Sequence, residues 1–197
     1  DAAAVPDGVV AERLDSAGYS LGQVIDARSI AALEKAQNIN VAKSKAPTAA
    51  DKVYETVLDA MSTLTRVGVP QDGRWLIASP EFYAMLLNTP PFIRAVDPSK
   101  AIADIGVVGT IAGFAVCVSN NLAFEDTTLV SGKKTTTEFI AGHSNWCHRV
   151  MAWQAPVVLQ DLASSGTYIG ASAVQGRKVF GVKVSKGTAL YTKRIEA

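Results

Sequence analysis

Histidine, cysteine and aromatic residues are scarce in this sequence, and each scarcity removes a class of function. Two cysteines, Cys117 and Cys147, cannot build a disulfide framework, and a chain of 197 residues needs none to fold. Both are expected to be buried thiols in a reducing compartment. With two histidines, a Ser-His-Asp or Cys-His arrangement must rest on His143 or His148, and nothing beside either supports one. Neither G-x-S-x-G nor H-E-x-x-H occurs. Aromatic residues make up 7% of the chain and are not interleaved with basic ones, which argues against a stacking platform for single-stranded nucleic acid. Trp75, Trp146 and Trp153 read instead as core or subunit contacts.

An excess of charge is lacking too. Lys plus Arg come to 19 and Asp plus Glu to 18, a net +1 that exerts no general pull toward nucleic acid. No apolar run approaches the roughly 20 residues that span a bilayer, and no charged segment followed by an apolar core marks a secretion signal. The chain is therefore expected to be soluble, not exported and without a membrane partner. It begins at Asp1, not Met, so a part upstream of it is expected.

What is present is apolar residues in ordered patterns. Val10, Leu14, Ala17, Leu21 and Val24 recur at spacings of four, three, four and three, which predicts one stripe of a long amphipathic helix over 9–33. Residues 41–47 read as a connection. Thr48 and Asp51 form a T-x-x-D capping box for a second helix, with Val53, Val57, Met61 and Leu64 on its buried face and an end at Gly68. Residues 74–78, RWLIA, form a buried strand. Ser79-Pro80-Glu81 caps a third helix, whose buried side is Phe82, Tyr83, Leu86 and Leu87. Beyond Pro90-Pro91 the pattern turns to strands over 107–111, 114–119, 136–141, 149–154 and 178–184. Helices first and strands after, without regular alternation, predict an α+β fold and not a doubly wound parallel sheet.

Three local patterns invite a ligand and each fails. In GVVGTIAGFAVCVSNNL the glycines at 106, 109 and 113 have the wrong spacing for a dinucleotide fingerprint, and the residues after them continue as a strand. Gly109 and Gly113 are expected to serve a bend or bulge. Ser131-Gly132-Lys133-Lys134-Thr135 lacks the P-loop glycine, since Thr127 stands there. His143, Cys147 and His148 lack a fourth zinc ligand, and in an extended segment 148 points away from 143 and 147. No catalytic, cofactor-binding or metal-binding residue is assigned.

Four segments in order carry a resemblance: GRWLIASPEFYAMLLN, GVVGTIAGFAVCVSNNL, TEFIAGHSNWCHRVMA and GRKVFGVKV. This series, across 73–184, resembles the major capsid proteins of tailed bacteriophages. The resemblance implies the Hong Kong ninety-seven type shell fold, with a peripheral domain built on a long spine helix and a sheet, and an axial domain. Its expected borders are 1–47 for the spine helix, 48–153 for the axial domain and 154–197 for the return strands of the peripheral domain. The family also has an N-terminal arm and an extended loop before the spine helix, which this sequence does not contain.

The function so implied is structural and not enzymatic, without cofactors. Copies self-associate into pentamers and hexamers that form the icosahedral head of the virion, assembled in the host cytoplasm around packaged DNA that is enclosed without sequence-specific binding. Scaffolding, portal or decoration proteins are the further partners it implies. The polar loop over 124–137, with Glu125, Asp126, Lys133 and Lys134, is the candidate subunit interface. An encapsulin-like compartment shell around an enzyme cargo is the alternative within the same fold, and a small hydrolase is the reading from another class.

Overall fold

The computed structural model describes residues 7–34, 38–42, 48–89, 107–122, 126–130, 133–162 and 172–196. Asp1–Cys147 with Val184–Ala197 form one compact unit and His148–Lys183 a second.

Helices α1 (Asp7–Leu33), α2 (Val53–Arg66) and α3 (Pro80–Leu87) belong to the first unit. So do strands β1 (Asn38–Ala42), β2 (Arg74–Ala78), β3 (Val107–Ile111), β4 (Phe114–Val118), β5 (Asp126–Val130), β6 (Lys133–His143) and β9 (Leu190–Glu196). These seven strands form one sheet in the order β1-β9-β6-β2-β4-β3, with β5 on β6. The pairs β1–β9 and β2–β4 are parallel and the others antiparallel, so the fold is α+β with a mixed sheet, as expected.

Both faces of this sheet are covered. Val57 and Leu64 of α2 and Phe82 and Leu86 of α3 bury against Leu76, Phe114, Phe139 and Tyr191. Ile30 and Leu33 at the end of α1 pack with Leu122, Ile140 and Leu190. Between them the two layers remove the sheet's apolar surface from water, at about 25 cal/mol per Å².

Local chemistry sets the ends of α2 and α3. The Ser79 hydroxyl accepts from the Phe82 N–H at 3.2 Å, and Pro80 fills the first turn of α3. At the end of α2, Gly68 N–H donates to the Thr65 carbonyl and Val69 N–H to that of Leu64, both at 3.0 Å, the double return bond of a Schellman turn. Arg74, 3% exposed, completes that terminus by donating to the carbonyls of Val69 at 2.5 Å and Pro70 at 2.7 Å. Desolvation there lowers the pKa of its guanidinium.

Several expectations need correction. The stripe on α1 is not the buried face: Leu14, Leu21 and Val24 are exposed, while Ile25, Ile30 and Leu33 are buried. The helix packs on the sheet by its C-terminal end, through Ile30 and Leu33, and the side chain of Val10 lies outside the described residues. Thr48 does not cap α2. Its N–H and hydroxyl both donate to the carboxylate of Glu138, and α2 begins after a short 3-10 turn, Ala50–Lys52, without a side-chain cap. Leu87 is 43% exposed, while Phe82 and Leu86 of α3 are buried and Tyr83 packs half-buried beside them, and Met61 is half-buried, with Ala60 taking the fully buried place on α2.

The expected strands over 107–111 and 114–119 appear almost unchanged. The strand over 136–141 extends to Lys133–His143, and β1 and β9 lie where no strand was expected. The second unit is a two-stranded sheet of β7 (Cys147–Asp161) and β8 (Ser172–Val184), both longer than the expected 149–154 and 178–184.

Candidate functional site

The glycine-rich stretch is a turn, not a phosphate cradle. Strands β3 and β4 pair as a hairpin whose two loop residues, Ala112 and Gly113, have φ of 47° and 82°. Positive φ at both central positions is the type I′ geometry that matches the twist of the flanking strands. The register of the hairpin shifts between Val107 and Gly109, so Gly109 marks an irregularity in β3 as expected. Gly113 leads directly into β4 and not into a helix, so the turn has no helix N-terminus to offer a phosphate.

His143 is engaged within the fold. Its Nε2 donates to the Asp72 carbonyl at 2.8 Å and its Nδ1 accepts from the Asn145 N–H at 3.2 Å, which assigns one tautomer. His148 is exposed and lies in the second unit. Cys117 is half-buried, and burial pushes its thiol pKa up. The side chains of Cys147, Trp146 and Trp153 lie outside the described residues, and Trp75 is half-buried against the α1 side of the sheet.

The loop expected over 124–137 is largely a hairpin. Strand β5 pairs with β6, Asp126 opposite Thr135 and Val130 opposite Lys133, with a register shift between the pairs. Asp126 begins β5, while Lys133 and Lys134 begin β6; Glu125 lies outside the described residues. The strand pairing brings Asp126 and the two lysines to one end of the sheet. Thr127, Thr128 and Thr135 to Thr137 are the signal for this pairing, since β-branched residues favour strands even where the stretch is polar.

A bulge in β6 forms a polar junction that no local sequence pattern announces. Thr137 stands opposite Arg194 in register and Phe139 opposite Lys193, which leaves Glu138 as an extra residue. Thr137 thereby turns to the α1 side, where its hydroxyl donates to Glu34 Oε1 at 3.0 Å. Arg194, fully buried, lies 3.7 Å from Glu34 Oε2 and donates to the Glu34 carbonyl at 3.3 Å. Glu138 meanwhile accepts from Thr48 N–H at 2.6 Å and from its hydroxyl at 2.5 Å. One irregularity thus ties the end of α1, the approach to α2 and β9 to a single strand.

An open groove of about 420 Å³ runs beside α1. Tyr19, Gly22 and Asp26 line its helical side, and Pro80, Ser119 and Asn120 face them from the sheet end. Among the described residues no group of three or more His, Cys, Asp or Glu side chains is placed to hold a metal ion.

Comparison with solved structures finds the same fold in phage capsids. The structure from Mycobacterium phage Che8 matches with a TM-score of 0.64 and 19% identity, covering 92% of this chain and 61% of that one. The mature capsid of bacteriophage PhiM1 matches with a TM-score of 0.64 and 13% identity over 94% of this chain and 64% of that one. The capsid of cyanophage P-SCSP1u matches with a TM-score of 0.64 and 14% identity, over 99% and 67%. The chain thus spans about two thirds, or slightly less, of the length of these structures. A virus-like particle from Pyrococcus furiosus matches less well, with a TM-score of 0.52 and 16% identity over 92% of this chain and 64% of that one. No curated protein matches. A family model described as phage capsid protein matches residues 1–192, and this chain belongs to that family.

Proposed function

We propose that this chain is the structural body of a major capsid protein whose copies join as pentamers and hexamers into an icosahedral shell around phage DNA. The observation that carries this reading is the likeness of fold, over 92% or more of the chain, to structures from three phages. Its work is complementarity between copies and not turnover. A closed shell needs many modest, repeated contacts so that its geometry can correct itself, and a net charge of +1 lets copies approach without strong repulsion.

In this reading the 27-residue α1 is the spine helix within 1–47, residues 48–153 supply the axial domain, and 154–197 return to the peripheral domain. Strand β9 shares its sheet with β2, β4 and β6, so the returning strand and the axial segment hold a core in common. The segment 124–137, with Glu125, Asp126, Lys133 and Lys134, contacts neighbours around the capsomer axis. The location is the virion, reached by assembly in the host cytoplasm, with scaffolding, portal or decoration proteins as further partners. A compartment shell around an enzyme is not favoured, because the family is phage capsid.

Light scattering of the purified protein, followed by negative-stain imaging of any large fraction, tests the proposal. Closed shells, or rings of five or six, are the expected result. A strict monomer, both alone and with any upstream segment of its gene restored, overturns it.

A further inference from the structure

Charge is divided unevenly between the two units. Of 19 basic and 18 acidic residues in the chain, the second unit holds Arg149, Arg177, Lys178 and Lys183 against Asp161 alone. That is a net +3, and it leaves 15 basic against 17 acidic residues, a net −2, in the first unit. The second unit is also a two-stranded ribbon with Val150 67% and Val179 48% exposed. A two-stranded sheet is marginally stable in water without a further strand or a surface to pack on.

The first unit presents a surface of opposite kind. Glu12, Asp15, Tyr19, Gly22 and Asp26 follow one another on α1 at spacings of three, four, three and four, so they share one face. The three carboxylates are exposed, and Tyr19 is 71% exposed. Arg13 and Arg28 project from the other side of the helix, since each residue turns about 100°. The groove beside this face is open at Gly22, where an added Cβ would meet nothing within 4 Å.

We infer that this acidic face of α1 seats the basic β8 edge of the ribbon of a second copy, joining copies head to tail. Arg177, Val179 and Lys183 lie on one face of β8, as residues at even separations do in a strand. Six residues of strand set Arg177 and Lys183 about 20 Å apart. Fourteen residues of helix set Glu12 and Asp26 about 21 Å apart. Both ends of the basic row therefore meet a carboxylate at once, and Val179 comes level with the segment between Asp15 and Tyr19. The two surfaces are unlike, so the contact is heterologous, and it closes into a ring when the rotation between copies allows. This rests on the shell reading for its biological meaning, though its test does not depend on shells forming.

Sedimentation velocity of the full chain over a range of concentrations tests the inference, with two variants whose folding is checked by circular dichroism. One is Arg177→Glu with Lys183→Glu, and the other is Glu12→Lys with Asp26→Lys; all four positions are exposed. Each variant alone should weaken self-association about tenfold or more, and an equimolar mixture should restore it, because each reversed surface then faces its complement. Raising salt from about 0.05 to 0.5 M should weaken the parent contact. A parent chain that stays monomeric, a variant that associates like the parent, or a mixture that fails to recover overturns the contact. Charge-dependent dimers or open chains, without shells or rings of five or six, would sustain it while removing the shell reading, and shells indifferent to both reversals would do the opposite.

Discussion

Glu34 and Arg194, 160 positions apart in the chain, meet inside the protein, where a guanidinium with no exposed surface lies 3.7 Å from a carboxylate that also accepts from Thr137. A buried pair of this kind contributes little relative to apolar residues of the same size, yet breaking it strands a charge. Glu34→Ala is expected to cost about 3–5 kcal/mol in denaturant unfolding. Glu34→Leu combined with Arg194→Met should recover most of that loss. If the single and double variants are equally unstable, the pair is not the cause.

Thr48 supplies a second test of long-range against local bonding. Thr48→Val leaves the buried Glu138 carboxylate short of a donor and should cost about 1–3 kcal/mol. Asp51→Ala, at an exposed position, should change stability by less than about 0.5 kcal/mol. A capping box would make both substitutions costly, so thermal melts of the two variants separate the alternatives.

The β3–β4 turn carries strain at a non-glycine residue. Gly113→Ala should destabilise the chain by about 1–2 kcal/mol, because φ there is 82°. Ala112→Asn, which creates the preferred Asn-Gly pair, should be stabilising. Opposite shifts in melting temperature are the expected pattern, and a loss in both would contradict the turn assignment.

Gly142 is needed for space. Its register partners are Trp75 on β2 and Leu190 on β9, and a Cβ at this position would lie 2.7 Å and 2.6 Å from their side chains. Gly142→Ala should cost about 1–3 kcal/mol, and Leu190→Ala in the same chain should relieve part of that overpacking. A double variant showing the plain sum of both losses would argue against the close approach.

Lys133→Glu with Lys134→Glu tests the proposed contact at the capsomer axis. Exposed pairs contribute only about 0–1 kcal/mol each, but a ring repeats the loss in every copy. Capsomers should weaken by light scattering while the monomer's circular dichroism spectrum stays unchanged. Unaltered oligomerisation would remove this hairpin from consideration.

Where structure arises from neighbours in the chain, the residues announced it. Ser79-Pro80 starts α3, Ala112-Gly113 turns a hairpin, and the alternation of RWLIA gives β2, because caps, turns and pleats are satisfied within a few residues. The family resemblance was legible for the same reason, since its segments are local patterns in a particular order. Strand β9 was not. Thr192 and Arg194 are buried in it because the strand lies between β1 and β6, and no local pattern says that a charged residue will meet Glu34 from the far end of the chain. Thr48 reads as a cap until Glu138 comes within reach, and the regular stripe on α1 reads as buried until Ile25, Ile30 and Leu33 take that place. A side chain's burial depends on what long-range pairing brings beside it, and that is settled when the sheet closes over its bulge at Glu138.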